Sequence, residues 1–183
     1  MIYGLSVSNV NLRHIHIAVP PAQTTTPGSE IIRHRYIRRT SASQLDIAVT
    51  DIDQTITDCL VDASFVEGLI IADSVLHEQL MSKKHLIATV DELGRGRRGV
   101  AMARWVAQQA DGLSESGGES KARALMIERG WQVPELQVEL PDPVEPGGVY
   151  RVDYLWRVGD RLIIGEFDGF IKSEKAAAEG KLA

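Results

Sequence analysis

The sequence predicts a mixed α/β (α+β) fold in two parts. An N-terminal module, residues 1–113, runs from strands into helices, and a second module, residues 114–183, runs from a helix into a sheet. Three observations predict this. Polar and apolar residues alternate early and again after residue 135, the period of a half-buried strand. Between those regions apolar residues recur at helical spacing. Gly112-Leu113-Ser114-Glu115-Ser116-Gly117-Gly118 has the composition of a linker and supplies the boundary.

The elements follow in order. His14 to Val19 alternates and is stopped by Pro20-Pro21; Thr24 to Ser29 is a loop; Ile31 to Ile37 is rich in β-formers. From Thr55, Ile56, Leu60 and Ala63 form a helical stripe, and Val66, Leu69, Ile70, Val75 and Leu76 form a second. Leu86 to Leu93 and Val100 to Ala110 predict two more helices. Glu119 to Arg129 predicts another, ended by Gly130. Leu136 to Leu140 alternates as a strand up to Pro141. Val149 to Val158 and Arg161 to Phe167 predict two further strands, and the Ala- and Lys-rich tail from Ser173 is expected to be a frayed helix.

Composition narrows the function classes. The 183 residues are 44% hydrophobic and 25% charged, the balance of a globular protein. No apolar run reaches the roughly 18 residues that a membrane span needs. The segment Met1-Ile2-Tyr3-Gly4-Leu5 lacks a basic stretch ahead of an apolar block, so no secretory signal and a cytoplasmic location are expected. Cys59 is the sole cysteine, which excludes an internal disulfide and a Cys-based zinc site. A net charge of -5 argues against coating nucleic acid through overall charge, but the charges are uneven. Arg33, Arg35, Arg38 and Arg39 form one basic cluster; Arg95, Arg97 and Arg98 form another; the stretch between them is strongly acidic.

Gly159-Asp160 between two apolar runs is a two-residue hairpin signal, with Gly first as a type II′ turn prefers. That loop sets a register in which Val158 faces Arg161, Arg157 faces Leu162 and, further out, Asp153 faces Glu166. Like charges at about 5 Å repel by about 3 kcal/mol at an effective dielectric near 20. The arrangement gains nothing unless a proton or a cation lies between them, and a divalent ion held by one or two carboxylates plus waters suits it. Glu119 shares a helix face with Ala122 and Met126 and can lean toward the same sheet.

The residues also carry a resemblance. Glu119-Ser120-Lys121-Ala122-Arg123-Ala124, then Gln137, Val152-Asp153-Tyr154 and Gly165-Glu166-Phe167-Asp168-Gly169, resemble the Vsr-like (very-short-patch-repair) endonuclease group of the PD-(D/E)XK superfamily. The preceding part, with Leu5, Val49-Thr50, Thr55 through Asp58, Ala72-Asp73 and Gly96-Arg97-Arg98-Gly99, resembles actinobacterial proteins that join such a domain to an AbiEi-type antitoxin region of type IV toxin–antitoxin systems. The resemblance implies a restriction-endonuclease-like core with a mixed sheet in residues 114–183, truncated at the C-terminus because the closing helix and strand would follow Ala183. It implies Mg²⁺ (or Mn²⁺) as cofactor and DNA as substrate, with a cognate toxin or its operator as a further partner. Asp153 and Glu166 would hold the ion and Glu119 would assist through a water. Asp168 stands where the superfamily has lysine, as is usual in the Vsr-like branch, and Asp168 or Lys172 would orient the nucleophile.

Plainer readings stand beside these. Glu119 three residues after Ser116 also fits a capping box. Asp168 falls opposite Arg151 in the same register, which suits an ion pair. Gln137 fits the polar face of a strand, and Tyr154 and Trp156 suit packing on the face opposite Asp153. Arg33, Arg35, Arg38 and Arg39, with Arg97 and Arg98, serve either as solvated faces or as phosphate contacts. His14, His16 and His34 lack a carboxylate nearby in sequence, which disfavours a metal site. If the acids are remnants, the chain is a non-catalytic DNA-binding antitoxin or transcriptional regulator. A third reading rests on Asp51-Ile52-Asp53-Gln54-Thr55, which matches the Asp-x-Asp-x-Thr signature of haloacid-dehalogenase phosphatases.

Overall fold

The computed structural model describes residues 3–8, 13–19, 30–35, 41–44 and 46–168. Its five helices begin where a local device satisfies their first N–H groups. The Asp51 carboxylate accepts the Gln54 N–H at 2.8 Å and opens α1 (Ile52–Asp62). Ser64 and Glu67 cap each other reciprocally and open α2 (Phe65–His77). Ser82 accepts from His85 at the start of α3 (Lys83–Leu93). Before α4 (Val100–Gln109) stands Gly99 at φ 84°, where a Cβ would lie 1.9 Å from the Val61 carbonyl oxygen, so no other residue fits. Ser116 accepts the Glu119 N–H at 3.1 Å and opens α5 (Gly117–Glu128).

The core forms around α2, which packs against α1, α4 and α5. Every residue from Gly68 to Val75 is buried, the pattern of a helix enclosed on all sides. Leu60, Phe65, Leu69, Leu86, Val90 and Val106 fill the space between the helices. At Gly68 an added Cβ would meet the Val106 methyls at 3.0 Å, so its hydrogen side chain lets α4 approach. Burial on all sides also takes Asp73 out of water entirely, at 0% exposure. Arg123 of α5, 2% exposed, answers it with Nη2 at 2.7 Å from both carboxylate oxygens, and the Asp111 N–H donates at 2.8 Å. Thus α5, on the far side of the linker-like stretch, is seated on α2 by a buried ion pair and by Ala124 in the shared core.

Among the described residues the strands make three separate sheets. β1 (Ile15–Val19) pairs in parallel with β2 (Ile31–Arg35), and β3 (Ser41–Gln44) forms a hairpin with β4 (Ile47–Thr50) through Asp46 at φ 61°. β5 (Glu135–Pro141), β6 (Val149–Val158) and β7 (Arg161–Gly165) form an antiparallel meander. The expected hairpin register is present: Val158 opposes Arg161 and Arg157 opposes Leu162, with Gly159 at φ 56° in the turn. The mixed sheet expected for residues 114–183 is not: among the described residues that sheet is wholly antiparallel. Strands that follow one another through short links pair antiparallel, and a parallel partner needs a long crossover. β7 is one of the two edges of this sheet among the described residues, with Leu162, Ile163 and Ile164 about half exposed (51%, 51% and 47%). No helix among the described residues is long and apolar enough to cross a membrane.

Candidate active site

The acids gather where the start of α5 meets β5, β6 and the chain leaving β7. Glu119 is the third residue of α5, so the positive end of the helix dipole favours its charge. Its Oε1 accepts from the Ser116 hydroxyl at 2.7 Å, and its Oε2 accepts the Glu115 N–H at 2.9 Å. The capping reading is therefore correct in part, but the carboxylate does more than cap. Oε2 also accepts from Gln137 Nε2 at 3.2 Å, and the same amide nitrogen lies 3.4 Å from Asp153 Oδ1. One neutral NH₂ group thus joins an acid from the helix to an acid from the sheet.

Gln137 reaches that position through its backbone. It stands at φ 51°, a left-handed conformation within β5. The ladder pairs Leu136 with Tyr154 and Val138 with Val152 but skips Gln137 and Asp153 between them. An alternating strand hides this, because a sequence period reports facing and not backbone angle. Such strain costs on the order of 1–3 kcal/mol and persists only where the surroundings enforce it.

Asp153 is fixed from the other side, where its Oδ2 accepts the Phe167 N–H at 2.8 Å. That bond takes the Phe167 N–H out of the sheet, and the ladder ends at Tyr154 opposite Gly165. The strand expected to run to Phe167 stops two residues short of it. Glu166 consequently does not pair with Asp153 as the register predicted. Its Oε1 accepts from the Tyr150 hydroxyl at 3.0 Å. The hydrogen bond to Glu166, with the charges of Glu166, Asp153 and Asp168, pushes the Tyr150 hydroxyl above its ordinary value. The phenol bonds to one acid and feels the charge of two more, which favours its protonated form. The sequence carries no signal for Tyr150 beyond its being polar and aromatic at a strand end.

Tyr154 does pack, as expected, and its hydroxyl donates to the Glu119 carbonyl at 2.9 Å, tying β6 to the first turn of α5. Burial, followed by the charges of Glu119 and Asp153, pushes this phenol far up. The Phe167 ring lies over Gly118, where an added Cβ would come within 2.2 Å of it. Asp168 does not pair with Arg151: that guanidinium holds Glu115 through two bonds of 2.9 and 3.0 Å.

The other candidates are dispersed. Lys172, Arg38 and Arg39 lie outside the described residues. Arg35 is the last residue of β2, and Arg33, in the same strand, has a partner of its own. Arg97 is half-buried and committed to Asp58, which also accepts from Gln54, while Arg98 is exposed between α3 and α4. Asp51 spends its carboxylate on capping α1, and Asp53 accepts from His85 at 2.9 Å. His16 and His34 stack at 5.0 Å, joined by a 2.8 Å hydrogen bond, with Asp62 3.7 Å from His34. Among the described residues no three His, Cys, Asp or Glu side chains form a group able to hold a metal. The acid site offers a pair, Glu119 and Asp153, and its oxygen-only donors suit Mg²⁺ or Mn²⁺, which take one or two carboxylates and complete their shell with water.

No protein-family profile matches the chain, and no solved structure matches it. Two uncharacterized proteins of Mycobacterium tuberculosis, from strains CDC 1551 / Oshkosh and ATCC 25618 / H37Rv, are each 39% identical to it over 84 residues. The match covers 46% of this chain and 30% of the length of each relative, so the chain is similar to a part of those longer proteins.

Proposed function

We propose that the chain is a divalent-metal-dependent, Vsr-like endonuclease of the PD-(D/E)XK type that acts on DNA in the cytoplasm. The observation that carries this reading is the meeting of Glu119 and Asp153 on one amide group, beside Glu166 and Asp168 at the end of the hairpin. Acids from a helix, from a strand and from the chain leaving the next strand occur in the order the resemblance implies.

Glu119 and Asp153 would hold Mg²⁺ or Mn²⁺, with water completing the shell; Glu166, expected as a ligand, is held by Tyr150 instead. When bound, such an ion stabilises charge on a scissile phosphate and lowers the pKa of water. The chain's own groups supply the positioning. Ser116 and Glu115 orient the Glu119 carboxylate, and the Phe167 N–H orients that of Asp153. Tyr150 holds its proton toward Glu166. Asp168 or Lys172 keeps the role the resemblance gives it, orienting the nucleophile.

The test is nicking of supercoiled plasmid with Mg²⁺ or Mn²⁺. Nicking by the wild type that is lost in Asp153→Asn, with the fold retained by circular dichroism, supports the enzyme. No nicking with either ion, together with an operator shift indifferent to Asp153→Asn, replaces it with the DNA-binding regulator.

A further inference from the structure

We infer that Gln137 is a built-in stand-in for the ion, an amide that holds the two carboxylates together until a divalent cation displaces it. The inference rests on reading Glu119 and Asp153 as the metal pair and adds how that pair is regulated.

The lone pairs carry the argument. A carboxylate has about four acceptor sites. Asp153 gives Oδ2 to the Phe167 N–H and offers Oδ1 to Gln137 alone. Glu119 gives Oε1 to Ser116 and shares Oε2 between the Glu115 N–H and Gln137. The oxygens facing each other across the site are thus the two that the amide touches, and an ion must compete for them. Both neighbours only accept, so the amide must turn its NH₂ side toward them. Its partial positive charge separates two like charges without neutralising either. A strained backbone at φ 51° delivers it there. This arrangement suits a site kept in order while metal-free and opened by the metal itself.

The experiment is calorimetric titration of Mn²⁺ into the full chain, with melting temperatures measured in EDTA and in Mn²⁺. Gln137→Met keeps length and shape but has no N–H. Gln137→Gly suits the left-handed backbone and removes the side chain, so it reports even if the methionine variant folds poorly. Removing the competitor raises Mn²⁺ affinity about ten-fold, the worth of one charge-assisted hydrogen bond. In Gln137→Met it also lowers the EDTA melting temperature and enlarges the rise on adding Mn²⁺; in Gln137→Gly relief of the left-handed strain opposes that fall, and the affinity is the readout. Wild-type binding with unchanged or weaker affinity in both variants overturns the stand-in role and leaves the metal site standing. No Mn²⁺ binding by any of the three proteins overturns the metal reading itself.

Discussion

Two groups of acids in this molecule meet opposite solutions. In the helical core, Asp73 is wholly buried and faces a full positive charge, with Arg123 on both of its oxygens. At the end of the hairpin, Glu119 and Asp153 are half-buried and share only a neutral amide. The first arrangement is closed. The second leaves a charge deficit that protein groups manage but do not cancel. A buried acid that serves architecture is compensated by the chain, whereas the pair proposed to hold an ion is left short of charge.

The sharpest way to break the comparison is to open the closed side. Arg123→Met strands Asp73 in the core and should destabilise the chain by about 3–5 kcal/mol, read as a fall in the urea midpoint. Adding Asp73→Leu should recover much of that loss, because two packed apolar side chains replace a pair whose desolvation was costly. A single variant as stable as the wild type would mean that the pair is not buried as described.

A smaller effect is expected at the open side. Gly118→Ala places a methyl inside the Phe167 ring, and overpacking of this kind costs about 1–3 kcal/mol. Moving Phe167 also loosens the N–H that holds Asp153, so on the proposed nuclease reading plasmid nicking should fall by more than the loss of folded protein explains. Loss of activity no greater than loss of fold would uncouple Phe167 from the site.

The smallest effect concerns Cys59, on α1. Burial first, then the charges of Asp58 and Asp62, raises its thiol to about 11 from an ordinary value of 9.0. A raised value favours the neutral thiol in the folded chain. Its contribution is fully present below pH 9 and is lost as the pH rises through about 11. Labelling by a thiol reagent at pH 8 should be slow until urea unfolds the chain, and rapid labelling of native protein would show Cys59 to be open.

Much of the fold was legible because its signals are local. Ser116 with Glu119 and Gly159-Asp160 each specify a start or a turn within four residues, and the hairpin register followed from the second of these. β3 was not named because Ser-Ala-Ser-Gln shows no apolar alternation. The partnership of Asp73 with Arg123 spans fifty residues and leaves no spacing to read. At the site, residue types and order were readable but geometry was not. Glu166 was placed by extending a ladder one pair beyond its end, and Gln137 looked like a polar strand residue because a backbone angle leaves no mark on composition.

The outer edge of β7 has a practical consequence. Leu162, Ile163 and Ile164 form a short, uncharged, apolar run on a strand with open amide and carbonyl groups among the described residues. Such margins recruit copies of themselves, so concentrated preparations should cloud from this strand first. A lysine at position 163 should raise the concentration ceiling while leaving the acids untouched.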